Sequence, residues 1–246
     1  MERATSFGSV ADDYDRLRPP LPAEAIRWLA PQAVAVAVDL GAGTGAMTRA
    51  LAPHADRVVA VEPDPRMRAV LERRTPTATA VEGRGEAIPL PDASADLVVV
   101  ASAWHWMNNA QTVAEVARVL RDGGRFAVVR IGRGEGSRWQ VELAAEVGLD
   151  ADVQQVEDEQ AWSLRLDDDA PFEPVERAEF PFVHTMTVDD VANSLGTFSS
   201  VIALGQEGAA DIVRRAREAL VGRFGSDVDV AVELRATVDR CTRLAR

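Results

Sequence analysis

The strongest constraint on the fold is an alternation. Continuous apolar runs, "AVAVDL" at 35–40, "RVVAVE" at 57–62, "TATAVEG" at 77–83, "ADLVVVAS" at 95–102 and "RFAVVRI" at 125–131, are separated by stretches with helical spacing. Runs apolar at consecutive positions fit strands buried on both faces, as in parallel sheets. Helices between such strands imply right-handed crossovers, hence an α/β, doubly wound, Rossmann-like sheet. "AEAIRWLA" reads as a short helix ahead of the first strand, and "AMTRALAP" as the helix after it, stopped by Pro53. "DPRMRAVLERR" reads as another, with Asp64 as N-cap and Pro65 at the first helical position. "AQTVAEVARVLRDGG" reads as an amphipathic helix closed by Gly123 and Gly124.

After residue 131 the pattern changes. A sixth strand is expected over 175–187. Helices follow over 188–205 and 208–224, with a polar break at Gly205–Gly208. "VDVAVELRATVD" at 228–239 alternates with period two, which fits an antiparallel or edge strand. The expected whole is a seven-stranded, mostly parallel sheet ending in a C-terminal antiparallel strand. Its expected organisation is an N-terminal flap and helix over 1–33, a cofactor-binding core over 34–131, and completion of the sheet with helical insertions forming a substrate lid over 132–246. These form one domain overall. The lead-in "FGSVADDYDRLRPPLP" reads as polar chain broken by prolines.

The stretch "VDLGAGTGAMTRAL" sets Gly41, Gly43 and Gly45 between the first strand and its helix. Missing Cβ atoms permit a sharp turn and a ligand against the main chain. In open parallel sheets ligands sit beyond the carboxyl ends of the strands. Glu62 ends the second strand, at the spacing where a carboxylate accepts from ribose hydroxyls. A nucleoside-containing cofactor follows, but the glycines do not choose it. "GAGTGA" fits G-x-G-x-G and, through Ala46, also the dinucleotide pattern, so a nicotinamide-dependent oxidoreductase stands as an alternative. Against it, the chain has one Tyr and no Lys to serve as hydride-site proton donors.

Composition narrows the partners. The net charge is −12 and every basic side chain is Arg, a balance that repels phosphate backbones, so no nucleic acid is expected. Cys241 is the single cysteine, which excludes an internal disulfide and a cysteine metal site. No metal is expected from three scattered His, and "DDD" at 167–169 reads as a solvated loop. Neither a signal-peptide core nor a membrane-length apolar run is visible, so a cytoplasmic protein without a membrane partner is expected, as a monomer or homodimer.

The blocks "FGSVADDYDRLRP", "VDLGAGTGAMTRAL", "VVAVEPDPRM", "GRGEAIPLPDASADLVVVASAWHW" and "ARVLRDGGRFAVV", in that order, resemble a class I S-adenosylmethionine-dependent methyltransferase. The likeness is to the methyltransferase type 11 group, in particular the small-molecule branch of trans-aconitate methyltransferase-like proteins with a His-Trp pair after strand four. It implies S-adenosyl-L-methionine as cofactor, S-adenosyl-L-homocysteine as product and a small-molecule acceptor. It also implies that Asp39, Gly41, Ala42, Gly43 and Gly45 surround the methionine part and that Glu62 takes both ribose hydroxyls. Pro63, Asp64 and Met67 would line one side of adenine, and Glu86 and Ala87 would meet its other edge. Ala101 and Ser102 would lie near the sulfonium. Tyr14 would belong to a flap, with Arg18 paired to the cofactor carboxylate.

His105 is the candidate base, its ordinary pKa suiting work near neutrality; otherwise it fixes the loop or packs between Trp104 and Trp106. Those two indoles either wall the acceptor pocket or belong to the core. Arg130 either holds an acceptor carboxylate or forms a surface ion pair. A protein that binds the cofactor without catalysis, or a fold member with rerouted chemistry, is a further alternative.

Overall fold

The computed structural model describes residues 11–107, 109–149 and 162–245. Seven strands form one sheet: β1 (Val34–Leu40), β2 (Ala55–Val61), β3 (Thr79–Val81), β4 (Ala95–Ala101), β5 (Leu120–Arg133), β6 (Glu176–Thr187) and β7 (Asp229–Thr242). Their spatial order is β3-β2-β1-β4-β5-β7-β6. β1 pairs in parallel with β2 on one side and β4 on the other, so that Val38 faces Val59 and Val98. β2 pairs in parallel with β3, and β4 with β5. β7 is the antiparallel strand. The Gly123 N–H donates to Arg243 O at 3.0 Å while Gly134, further along β5's direction, donates to Glu233 O, earlier in the chain. The period-two pattern thus marks antiparallel pairing in the sheet interior rather than an edge.

Among the described residues the helices are α1 (Ala11–Leu17), α2 (Ala23–Leu29), α3 (Ala46–Leu51), α4 (Pro65–Arg74), α5 (Asn109–Val119), α6 (Arg138–Glu146), α7 (Val188–Leu195), α8 (Ser199–Ala203) and α9 (Gly205–Phe224). α4 starts as its sequence directs: the Asp64 side chain accepts from the Arg66 N–H, and Pro65 occupies the first turn.

Four expectations need correcting. The proline-flanked lead-in contains α1, a short helix that buries only Ala11 and Leu17. The glycine pair does not close α5, which ends at Val119; Gly123 and Gly124 lie within β5, where both exchange backbone hydrogen bonds with Arg243. Pairing with residues far along the chain overrides the local capping signal. The expected single helix over 188–205 is two, α7 and α8, separated at Gly196–Phe198. Gln206–Gly208, read as a break, lies inside α9, which starts at Gly205 with φ of 75°.

The chain divides into two compact units. The larger comprises Pro20–Ile131, Gln160–Phe180 and Ala236–Arg246; the smaller comprises Met1–Pro19, Gly132–Glu159 and Pro181–Arg235. In the larger, Val38, Val59, Val98, Trp104 and Phe126 lie in one buried apolar cluster. Each such side chain contributes about 1.5–3 kcal/mol through burial. In the smaller, Leu143, Val191, Ile212, Leu220 and Val232 form a separate core. Residues 150–161 of the expected lid lie outside the described residues.

Candidate cofactor and active site

The glycine loop, Glu62, Ala101 and Ser102 lie at or just beyond the carboxyl ends of β1, β2 and β4, within the larger unit. Gly41, Gly43 and Gly45 follow β1 with φ of 73°, 56° and 90°, the left-handed region that side chains resist. Space as well as torsion demands glycine at two of them. A Cβ on Gly41 would come within 2.7 Å of Ala103 Cβ, and one on Gly45 within 2.9 Å of Leu71 Cγ. At Gly43 the nearest neighbour would be Met67 Cε at 3.7 Å, which leaves room on that side of the loop.

The loop's amides are spent within the protein, mostly on the end of β2 and Glu62. The N–H groups of Gly41 and Ala42 donate to Val61 O at 2.8 and 3.1 Å, and Gly45 donates to Ala42 O at 2.9 Å. Gly43 N–H donates to Glu62 Oε2 at 2.8 Å. Glu62 Oε1 accepts from the Asp64 N–H at 2.9 Å. The Glu62 carboxylate is therefore held by one backbone donor on each oxygen and keeps a second lone pair on each. Burial pushes its pKa up, and the Asp64 and Gly43 amides pull back against that. Arg68, which sequence reasoning did not single out, steadies the same corner by donating to Glu62 O at 2.8 Å and Pro63 O at 3.0 Å.

Asp39 lies fully buried beneath the loop. Its Oδ2 accepts from Thr48 Oγ1 at 2.6 Å, while its Oδ1 has no hydrogen-bond partner. Burial pushes its pKa up to about 7; the Thr48 hydroxyl acts in the opposite direction and the neighbouring Glu62 adds to the rise. A buried acceptor left open this way is costly unless a ligand or water completes it. Thr48 carries no signal in isolation and was not anticipated.

Met67 is buried on α4 near Gly43, and Pro63 is half-buried. The Asp64 side chain is committed to capping α4 and pairing with Arg66 at 3.0 Å. Burial pushes its pKa up, but the hydrogen bonds from Arg66 prevail and hold it below the ordinary carboxylate range. Glu86 and Ala87 sit in a tight turn closed by an antiparallel bridge between Arg84 and Ala87. Its far side is anchored by Arg118, donating to Ile88 O and Leu90 O, and by Glu115 Oε2, accepting from the Ile88 N–H at 2.8 Å. Ala101 ends β4, and Ser102 beyond it has φ of 54°.

Trp104, His105 and Trp106 form a short 3-10 turn after β4. Trp104 takes the core alternative and cannot wall an acceptor pocket. It has no exposed surface, meets the Phe126 ring edge-on at 5.6 Å, and donates from Nε1 to Ser163 O at 3.2 Å. His105 and Trp106 are half-buried. The His105 ring packs against Trp106 at 4.3 Å between centroids and against Trp162 at 3.8 Å, so its aromatic neighbours are Trp106 and Trp162 rather than Trp104 and Trp106. Arg130 is half-buried on β5. Tyr14 and Arg18 belong to the smaller unit, where the Arg18 guanidinium lies 4.4 Å from the Tyr14 ring centroid; a cofactor role for them rests on the resemblance alone. Asp167, Asp168 and Asp169 are exposed. Among the described residues no cluster of His, Cys, Asp and Glu is arranged to hold a metal, and no helix is long and apolar enough to cross a membrane.

Residues 38–128 match the family model described as a methyltransferase domain. Over those residues the chain is similar to that family. The class I fold extends beyond that match. A structure solved as a candidate type II methyltransferase from Anaeromyxobacter dehalogenans superposes with a TM-score of 0.71 at 28% identity, covering 93% of this chain and 99% of that one. An uncharacterised methyltransferase of Mycobacterium tuberculosis is 47% identical over 151 residues, 61% of this chain and 62% of the relative's own length. The chain thus spans about three-fifths of the mycobacterial relatives it matches. Geranyl diphosphate C-methyltransferase of Streptomyces coelicolor, solved with Mg2+, geranyl diphosphate and S-adenosyl-L-homocysteine, shares the fold at a TM-score of 0.51 and 16% identity, covering 90% of this chain and 75% of that one.

Proposed function

We propose that the chain binds S-adenosyl-L-methionine at the ends of β1, β2 and β4 and transfers its methyl group to a small organic acceptor. The observation that carries this reading over a dinucleotide is the internal use of the glycine-loop amides. A pyrophosphate is cradled by free N–H groups. Here four of them, on Gly41, Ala42, Gly43 and Gly45, are already donated within the protein, above a buried acid. A zwitterionic amino-acid tail suits that corner better than two phosphates. The open Oδ1 of Asp39 provides an acceptor for an ammonium group or for a water bridging to it. The free lone pairs of Glu62 suit the paired hydroxyls of a ribose. Met67 and Pro63 supply an apolar wall of the kind a purine ring needs.

Once bound, the cofactor supplies an electrophilic methyl on a good leaving group. What the protein adds is alignment and exclusion of water; alignment alone is worth about 7–11 kcal/mol. Ala101 and Ser102 present the end of β4 to the reacting centre. His105 takes the proton at an imidazole nitrogen if the acceptor is a hydroxyl or an ammonium, and has no such task if the acceptor is a carboxylate. The acidic composition of the chain supports a small molecule over nucleic acid as acceptor.

Calorimetric titration with S-adenosylhomocysteine and, separately, with a nicotinamide dinucleotide tests the proposal. Binding of the first and not the second is expected. Glu62→Ala should weaken S-adenosylhomocysteine about 10²-fold, the loss of two hydrogen bonds to a charged acceptor at about 1.5 kcal/mol each. Unchanged affinity in that variant removes the ribose assignment, and dinucleotide binding by the native chain removes the cofactor.

A further inference from the structure

His105 is held by more than its own turn. One face of its surroundings is Trp162, a residue 57 positions later in the chain, whose ring centroid lies 3.8 Å away. The two residues that follow Trp162 are fastened at three points. Ser163 O accepts from Trp104 Nε1 at 3.2 Å. Ser163 Oγ accepts from Arg177 at 2.7 Å. Leu164 N–H donates to Asp239 Oδ2 at 2.9 Å.

Arg177 and Asp239 are themselves locked together. Arg177 Nε donates to Asp239 Oδ1 at 2.6 Å and its terminal nitrogen to Oδ2 at 2.9 Å, a two-pronged pair of the strong kind. The Asp239 side chain is almost wholly buried in β7, while Arg177, on β6, is part exposed. A buried carboxylate in the sheet interior requires compensation, and here that compensation reaches past Arg177 to the chain leading out of Trp162.

We infer that Arg177 and Asp239 are positioning residues that clamp residues 163–164 and so fix Trp162 against the His105 ring. Neither touches the reacting atoms. Their effect passes through a single indole to the imidazole that the proposed function places beside the acceptor, and the inference rests on that reading for its functional meaning. The geometric link itself is testable without turnover. A positioned ring loses less orientation entropy on reaching the reactive geometry, and misplacement of such a group by about 1 Å costs on the order of 10²-fold in rate.

The chain has three histidines, His54, His105 and His184, so the imidazole Cε1–H region of a carbon–proton correlation spectrum of the full chain contains three signals. The His105 signal is expected upfield of the other two because of the flanking indoles, and Trp162→Leu identifies its position without one of them. Arg177→Met and Asp239→Asn should each move the His105 signal toward that of Trp162→Leu while His54 and His184 stay in place. Arg177→Lys, which keeps one charged donor for Asp239, should recover part of the displacement. Asp239→Asn removes the buried charge itself, so that variant folds if Arg177→Met, which leaves Asp239 uncompensated, does not. An unmoved His105 signal in Asp239→Asn overturns the inference equally. The inference is overturned if the His105 signal keeps its native position in Arg177→Met, or if Trp162→Leu leaves it unmoved. Failure of the native chain to bind S-adenosylhomocysteine would instead overturn the cofactor reading, and the histidine signals report separately from it.

Discussion

Asp39→Asn tests the thermodynamic role of the buried acid. The native Asp39 carboxyl is pushed up to about 7 from an ordinary value of 3.8, chiefly by burial. That is about three units, or about 4 kcal/mol at about 1.4 kcal/mol per unit. The folded chain keeps the proton that the unfolded chain releases, so the contribution is fully present below about pH 4 and is lost as pH rises through about 7. Urea unfolding, followed by tryptophan fluorescence in steps from about pH 4 to about pH 8, gives the stability of native and variant chains. Asp64 and Glu115, held low, titrate in both and cancel, so the difference between the curves reports Asp39 together with its coupling to Glu62. Native stability should fall relative to the variant by about 4 kcal/mol across that range. Parallel curves would mean that Asp39 is already ionised in the fold, and the desolvation reasoning would be wrong. The same shift predicts that S-adenosylhomocysteine, bringing an ammonium group, releases a proton near neutrality. Binding heats measured in buffers of different ionisation enthalpy should then disagree.

Two further outcomes follow from the turn after β4. Trp104→Ala should cost about 3–5 kcal/mol in unfolding free energy, since it empties a fully buried site packed on Phe126 and removes the donor to Ser163; a loss below about 1 kcal/mol would place the indole outside the core. His105→Ala should lower kcat by about 10²-fold or more with a hydroxyl or amine acceptor while leaving S-adenosylhomocysteine affinity intact, and full activity would show that it is no base.

The sheet was legible because β1, β2 and β4 are buried on both faces and advertise it with apolar runs. Glycines at Gly41, Gly43 and Gly45 were legible as a loop that a ligand approaches, since their torsions leave few other residues. Hidden from the sequence were the arrangements that depend on distant partners. β5 starts at Leu120 because Arg243 pairs with Gly123 and Gly124, and nothing near those glycines indicates it. The Trp162–His105 contact and the Arg177–Asp239 pair join segments far apart in the chain, and isolated Trp, Arg and Asp carry no spacing to reveal them. Asp64 was legible as an N-cap from the local sequence, and its side chain makes that cap. A helix cap and a ligand wall ask for the same residue type at the same place, and here the cap holds the side chain.

Ser102 holds a left-handed torsion that L-residues resist by about 1–2 kcal/mol, with its N–H tied to Val129 O at 2.8 Å. Glycine would sit there without strain, so any effort to harden this molecule against heat would begin by rewriting the position. Such a change would also strip a hydroxyl from the residue proposed to lie beside the sulfonium. Durability and craftsmanship pull in opposite directions at that residue.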